Sequence, residues 1–157
     1  MHTSQFWLVY VMAVLSIFQG YYTLNVYKAY GFTKPVLDDD FYLTKVGSVS
    51  ALMGALRFLW SGTMDYLKSN AYKKVYGANL AIQAFCGFTI GFAAQWKVTY
   101  AIWISLMVFC EGAHFVIIPT ALRLIYGKSA SSVYGVIFTF TGLANLMIML
   151  ICGSNFG

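Results

Sequence analysis

Three ionisable residues, Arg57, Glu111 and His114, lie deep inside long apolar stretches of the sequence. Arg57 stands 12 residues after Lys45, which in a continuous helix places it about 18 Å from that end. Glu111 stands 13 residues after Val98, a depth of about 19 Å. Because His114 follows Glu111 by three residues, the two share one helix face. Charged groups at such a depth in a bilayer normally face protein, water or one another.

We therefore predict that Arg57 and Glu111 pair across two helices, with His114 hydrogen-bonded nearby. Such a cluster suits either a substrate or proton site at mid-membrane or a structural polar clamp, and the clamp is the favoured interpretation. A Glu-x-x-His pair also occurs in di-metal helical bundles, but those need several such carboxylates from facing helices. We expect no metal, no cofactor and no catalytic site, since the sequence has no phosphate loop, nucleophile elbow or redox cysteine pair.

The composition indicates that the chain lies in a membrane. Of its 157 residues, 60% are hydrophobic and 10% are charged, and the mean hydropathy is +0.70. Typical globular proteins carry roughly 25% charged residues, so this chain lacks the polar groups to cover itself in water. The net charge is +5, but its Lys and Arg are dispersed, which indicates loops beside a membrane rather than nucleic-acid binding. Cys86, Cys110 and Cys152 fall in apolar stretches and are predicted to be small buried hydrophobic residues.

Five predicted transmembrane helices position these residues in a single all-α, polytopic domain over 1–157. Crossing a bilayer takes about 20 mostly apolar residues. The stretches that qualify are 6–27, 41–64, 75–94, 98–122 and 133–152. We expect the aspartates 38–40 to precede or cap the second helix, where negative charge suits the N-terminal end of the helix dipole.

The distribution of Lys and Arg predicts the orientation in the membrane. The side of the N-terminus holds five of them, namely Lys68, Lys73, Lys74, Arg123 and Lys128. The opposite side holds four, namely Lys28, Lys34, Lys45 and Lys97. Because positive residues favour the inner side, we expect the N-terminus in the cytosol, or in the matrix of a mitochondrion.

Small and polar residues inside the helices predict how the helices associate. Gly47 and Ala51, and likewise Ser50 and Gly54, repeat small residues at a spacing of four, which lets a neighbouring backbone approach closely. Single amides on apolar helices are more often interhelical hydrogen-bonding residues than ligands. The amides of this kind are Gln19, Asn25, Gln83 and Asn145.

Three groups of residues carry a resemblance to a known family. They are Gln5–Leu8 with Asn25–Lys28, then 54–65 with Lys73–Gly77, and finally Gly112–Pro119 with Tyr126-Gly127 and Tyr134-Gly135. In that order they resemble the seventh helix, the eighth helix with its loop, and helices ten and eleven of the major facilitator superfamily. The likeness is strongest to its oxalate/formate-antiporter-like, or monocarboxylate-transporter-like, branch. It covers essentially the whole chain and implies the second half of a fold in which two six-helix halves enclose a central site.

The loop motif of that family is degraded in this sequence. In the family a glycine stands four residues before the aspartate and a basic residue follows it. In this sequence Ser61 stands four residues before Asp65, in place of the glycine, and Tyr66 follows Asp65, in place of the basic residue. Gly62 comes next to Ser61, and Lys68 stands where a second glycine is expected. We therefore expect that the gating function of this loop is lost.

These departures lead to three functional expectations. Alternating access needs two repeats around a shared site, and this chain resembles one half without its sixth helix. The favoured expectation is a degenerate half-transporter that serves as a structural or accessory subunit of a larger membrane complex, for which a mitochondrial inner-membrane respiratory complex is a candidate. Its partners are then the lipid bilayer and other membrane subunits that cover the face of the missing half.

Two alternatives stay open. One is a half-size transporter for small carboxylates, active as a dimer or with a second half. Because 133–152 contains no Lys or Arg, Arg57 alone would hold the carboxylate in such a transporter. The other alternative is a fragment of a longer transporter.

Overall fold

The computed structural model describes residues 3–67 and 71–155, and every regular element within these ranges is a helix. In chain order the elements are α1 Thr3–Phe32, α2 Asp40–Ala55, α3 Phe58–Leu67, α4 Ala71–Ala93, α5 Lys97–Tyr126, a one-turn 3-10 helix Gly127–Ser129 and α6 Ala130–Asn155. Lys68 lies outside the described residues, and the side chains of Asp65 and Cys152 are not among those described. The all-α expectation is therefore confirmed for the described part of the chain.

Three helical stretches of the described chain are long and apolar enough to cross a membrane. They are Phe6–Phe32, Tyr72–Ala93 and Lys97–Ile151. The third stretch contains both α5 and α6, which the 3-10 helix joins. These lengths and this apolar character are compatible with a helical membrane protein.

All the other α-helices pack around α5. This helix contacts each of the other five, and it buries residues along its whole length, from Tyr100 and Ile104 to Ile117 and Leu122. A helix that is apolar all round belongs in the centre of a bundle. The hydrophobic core of the described residues is therefore built around α5.

Contacts along α5 give the direction of its neighbours. Ser50 of α2 meets Ser105, and Trp60 of α3 donates to the carbonyl of Phe109, so α2 and α3 run in the same direction as α5. After the 3-10 helix, α6 returns along α5. The clefts described below show that α1 and α4 also run opposite to α5.

The second predicted helix, 41–64, is broken in the structure. α2 ends at Ala55 and α3 begins at Phe58. Between them the chain is tightened into i→i−3 hydrogen bonds, with the Arg57 N–H donating to the Gly54 carbonyl over 3.3 Å. Helices kink readily beside glycine, and Gly54 lies so close to α5 that a Cβ on Gly112 would lie 3.0 Å from the Gly54 carbonyl oxygen. This close approach accounts for the break.

The other four predicted helices correspond to observed helices, and most ends of the observed helices extend beyond the predicted bounds. α1, α4, α5 and α6 overlie 6–27, 75–94, 98–122 and 133–152. The turn predicted at residues 95–97 is as tight as expected, since α4 ends at Ala93 and α5 begins at Lys97. Gly127 ends α5 with φ +55°, a conformation that glycine adopts without steric cost.

The aspartates before α2 tie three helices together outside the apolar stretches. Asp39 is the N-cap of α2, and its Oδ1 accepts from the backbone N–H of Tyr42 over 3.1 Å, so the predicted capping role is confirmed. Lys97 Nζ lies 3.5 Å from Asp39 Oδ2, and Lys28 Nζ lies 2.7 Å from Asp40 Oδ1. The Tyr42 N–H, aided by the charge of Lys97, holds the pKa of Asp39 below its ordinary value of 3.8.

The capping aspartate makes stability depend on pH in the acid range. Because the folded-state pKa of Asp39 lies below its unfolded value, the carboxylate stabilises the fold above about pH 4, and this contribution is lost as pH falls through the folded-state pKa. We expect the free energy of unfolding in detergent to fall less steeply below pH 4 in Asp39→Asn than in the wild type. An Asp39→Asn profile that coincides with that of the wild type would contradict this role of Asp39.

Candidate polar site inside the bundle

Glu111 and His114 lie together in the middle of α5. Both side chains are buried, with relative exposures of 4% and 0%. Glu111 Oε2 lies 4.0 Å from His114 Nε2. Because α5 extends about 45 Å at 1.5 Å per residue, these groups lie far from either end of the helix.

α4 supplies two amides that reach this pair. His114 Nε2 lies 3.0 Å from Gln83 Oε1, and Gln83 Nε2 donates to Glu111 Oε2 over 3.5 Å. Asn79 Nδ2 lies 3.5 Å from His114 Nε2. Asn79 and Gln83 are both fully buried and, four residues apart, share one face of α4. We call Asn79, Gln83, Glu111 and His114 the polar cluster.

α1 is hydrogen-bonded to α4 beside the polar cluster. Gln19 Nε2 donates to the backbone carbonyl of Gln83 over 3.0 Å. Ser16 Oγ lies 3.0 Å from the Tyr76 hydroxyl. The Tyr76 ring in turn meets the His114 ring edge-on, with 5.7 Å between the ring centroids. The polar cluster is therefore enclosed by α1, α4 and α5 together.

Two apolar clefts lie along the groove between α1 and α4, one on each side of these hydrogen bonds. The first, about 540 Å³, is lined by residues within 4–12, 72–80 and 117–125. The second, about 560 Å³, is lined by residues within 19–30, 84–90 and 100–107. From the first cleft to the second, the residue numbers rise in α1 and α4 and fall in α5. α1 and α4 therefore run in the same direction, and α5 is antiparallel to both. The Ser16–Tyr76 and Gln19–Gln83 contacts separate the two clefts.

Arg57 does not join the polar cluster. Its side chain is exposed, and the ion pairs formed within residues 3–67 and 71–155 do not include Arg57 with Glu111. The break between α2 and α3 lies over Gly112, where a Cβ would come within 3.1 Å of Arg57 Cβ. Successive helical residues point about 100° apart, so Glu111 faces α1 and α4 instead.

The small residues of α2 face different neighbours. Ser50 Oγ lies 3.2 Å from Ser105 Oγ of α5, and Gly54 allows the close approach of the α5 backbone. Gly47 lies against a tyrosine hydroxyl of α1. Ala51 is exposed. The face of α2 toward α5 therefore runs through Ser50 and Gly54.

The degraded loop motif lies apart from the polar cluster. Ser61 and Gly62 lie within α3, and a Cβ on Gly62 would meet nothing within 4 Å. Asp65 belongs to the same helix, but its side chain is outside the described part of the molecule. The described residues of this motif give it no role at the polar site.

The amides behave in two ways. Gln19 and Gln83 bond between helices, as predicted. Asn25 and Asn145 instead donate to carbonyls four residues earlier in their own helices, so the interhelical expectation is wrong for them. Asn79 is a cluster residue that the sequence analysis missed, although its spacing of four from Gln83 was a usable signal.

Neither metal ligands nor known relatives assign a role to the polar cluster. In the described parts of the chain, no group of three His, Cys, Asp or Glu side chains is placed to hold a metal ion. Cys86 and Cys110 are buried and free. No protein-family model, curated protein or solved structure matches this chain.

The contact between α1 and Glu111 can be tested at Gly20. A methyl group on Gly20 would overlap the Glu111 carboxyl group, so we expect Gly20→Ala to lower the free energy of unfolding in detergent by about 1–3 kcal/mol. The matched control is Gly142→Ala in α6, where a Cβ meets nothing within 4 Å. That change should be neutral or stabilising by up to about 1 kcal/mol. If the two variants unfold alike, α1 does not lie against Glu111.

Proposed function

We propose that this chain is an integral membrane protein with five membrane crossings, formed by α1, α2 with α3, α4, α5 and α6. We further propose that it is a degenerate second half of a major-facilitator-like transporter and serves as a structural or accessory subunit of a larger membrane complex. The alternating helix directions support five crossings, since α1, α4 and α6 run opposite to α5, and α2 and α3 run with it. The broken second crossing then lies beside α5 within the bundle.

The observation that carries this proposal is the position of Arg57. Its Cβ lies close to Gly112, which is midway along α5 and about 22 Å from either end at 1.5 Å per residue. If α5 crosses a hydrocarbon core of about 30 Å, Arg57 lies near the centre of the bilayer. An arginine at that depth is costly unless protein, water or a carboxylate receives it.

The side chains that the structure describes do not supply the counter-charge, and the side chain of Asp65 is not among them. Arg57 is exposed, and no carboxylate of the described residues forms an ion pair with it. Large apolar side chains around it are exposed as well, with relative exposures of 70% for Leu52 and 60% for Phe58. We propose that a partner helix covers this face and places a carboxylate opposite Arg57. A mitochondrial inner-membrane respiratory complex is one candidate host.

A second candidate function is a half-size transporter for small carboxylates, working as a dimer or with a second half. Arg57 is the observation that favours it, because a guanidinium binds a carboxylate through paired hydrogen bonds. In this function the carboxylate opposite Arg57 belongs to a substrate and not to a partner helix. The two functions therefore differ in what Arg57 binds.

Extraction in mild detergent followed by native electrophoresis tests the subunit proposal. We expect the wild-type chain to migrate with a large complex, and Arg57→Ala to lose most of that association because the partner carboxylate is left unpaired in an apolar interface. Arg123→Ala is the matched control, since Arg123 is an exposed arginine in the last turn of α5, and it should keep the complex intact.

Liposomes separate the two functions. The purified wild-type chain, alone in liposomes, should not move labelled small carboxylates if it is an accessory subunit. Carboxylate flux by the wild type that is lost in Arg57→Ala, together with migration as a small free species, would contradict the subunit proposal and favour transport.

A further inference from the structure

We propose that Glu111 is a proton-binding site inside the bundle and that the side-chain amide of Gln83 sets how tightly the proton is held. This proposal does not rest on the proposed function, since it concerns groups buried within the chain. It rests on the two oxygens of the Glu111 carboxyl group, of which Oε2 accepts a hydrogen bond and Oε1 has no partner among the described residues.

The carboxyl group of Glu111 is poorly compensated for a negative charge. Its side chain is 5% exposed, its Oε1 has no hydrogen-bond partner among the described residues, and its Oε2 accepts one long bond from Gln83. A buried carboxylate persists when a cation or several donors surround it, and otherwise takes up a proton. The sparse donors around Glu111 favour the protonated form.

His114 is not arranged to supply the missing positive charge. Its Nε2 lies 3.0 Å from Gln83 Oε1, which can only accept, and 3.5 Å from Asn79 Nδ2, which can only donate. The shorter of these contacts places a hydrogen on Nε2. Its Nδ1 has no partner within the described residues. An imidazolium would carry a second N–H on Nδ1 that is buried without an acceptor, which is costly. We therefore take His114 as neutral.

Other titratable groups near Glu111 are also neutral or too distant to pair with it. Tyr21 of α1 and Tyr76 of α4 are within electrostatic range of the carboxyl group, and so is Cys110 of α5. From α6, Tyr134 lies near Tyr21. At the break between α2 and α3, Arg57 has its Cβ beside Gly112, but its exposed side chain forms no ion pair with Glu111.

Gln83 keeps the same bonds to Glu111 and His114 in both protonation states. Its amide nitrogen donates to Glu111 Oε2, and its amide oxygen accepts from His114 Nε2–H. A proton bound by Glu111 lies on Oε1, which has no partner among the described residues, so Oε2 remains an acceptor and His114 keeps its hydrogen on Nε2. The bond from Gln83 is stronger when its acceptor is an ionised carboxylate.

The site adjoins both clefts of the groove between α1 and α4. Tyr76, whose ring contacts His114, lines the first cleft, and Gln19, which donates to the Gln83 carbonyl, lines the second. Glu111 and His114 themselves line neither cleft. Tyr76 and Gln19 therefore lie between the clefts and the polar cluster.

The sequence permits a direct test without any substitution, because Glu111 is its single glutamate. The protein is prepared with ¹³C-carboxyl glutamate, placed in lipid bilayers, and compared with unlabelled protein by infrared spectroscopy. We expect the label to shift the carbonyl band of a protonated carboxyl group at pH 7, and this band to vanish at higher pH. A label that shifts carboxylate bands alone at pH 7 would overturn the proposal.

The role of Gln83 is tested by the same measurement on Gln83→Leu. Without the amide, the ionised form of Glu111 loses its donor, so the protonated band should persist to a pH about one unit higher. Asn145→Leu is the matched control, because the Asn145 amide donates to its own helix, and its titration should equal that of the wild type. If the two variants titrate alike, Gln83 does not influence how tightly Glu111 holds its proton.

Discussion

The structure depends on the need to satisfy polar side chains inside an apolar bundle. α5 is the helix that all others contact, yet its middle carries a carboxyl group and an imidazole. Without water, each of these groups requires a partner from a neighbouring helix. Gln83 of α4 supplies one bond to each of them, while Glu111 Oε1 and His114 Nδ1 have no partner among the described residues. The polar middle of α5 thereby fixes the position of α4, and Gln19, which bonds to α4, fixes that of α1.

Glycines determine which groups reach this polar middle. Gly20 leaves room for the Glu111 carboxyl group on the side of α1. Gly54 and Gly112 let α2 lie so close to α5 that the second crossing breaks there, and the break turns Arg57 toward the outside of the bundle. Among the described residues, the same close packing thus leaves Glu111 buried without a basic partner and Arg57 exposed without an acidic one. The proposed proton site and the proposed partner contact follow from this separation.

Much of the fold could be predicted from apolar length alone. Four of the five helices, the tight turn before Lys97 and the cap at Asp39 match the sequence analysis, because each is decided by local residues. The shared face of Glu111 and His114 is also a local property. The break at residues 56–57 and the outward position of Arg57 could not be predicted, because they depend on how closely Gly54 and Gly112 approach one another across two helices. Asn25 and Asn145 show the same limit, since periodicity does not reveal whether an amide bonds to its own helix or to another.

The central claim is that α4 docks on α5 through the side chain of Gln83, and a distance measured in lipid bilayers tests it most directly. Solid-state NMR on protein carrying ¹³C-carboxyl glutamate and ¹⁵N-amide glutamine reports on contacts of the single glutamate, Glu111. The account predicts strong dipolar dephasing of the Glu111 carboxyl carbon by one glutamine side-chain nitrogen, and loss of that dephasing in Gln83→Leu. A wild-type spectrum without dephasing, or dephasing that survives in Gln83→Leu, would contradict it.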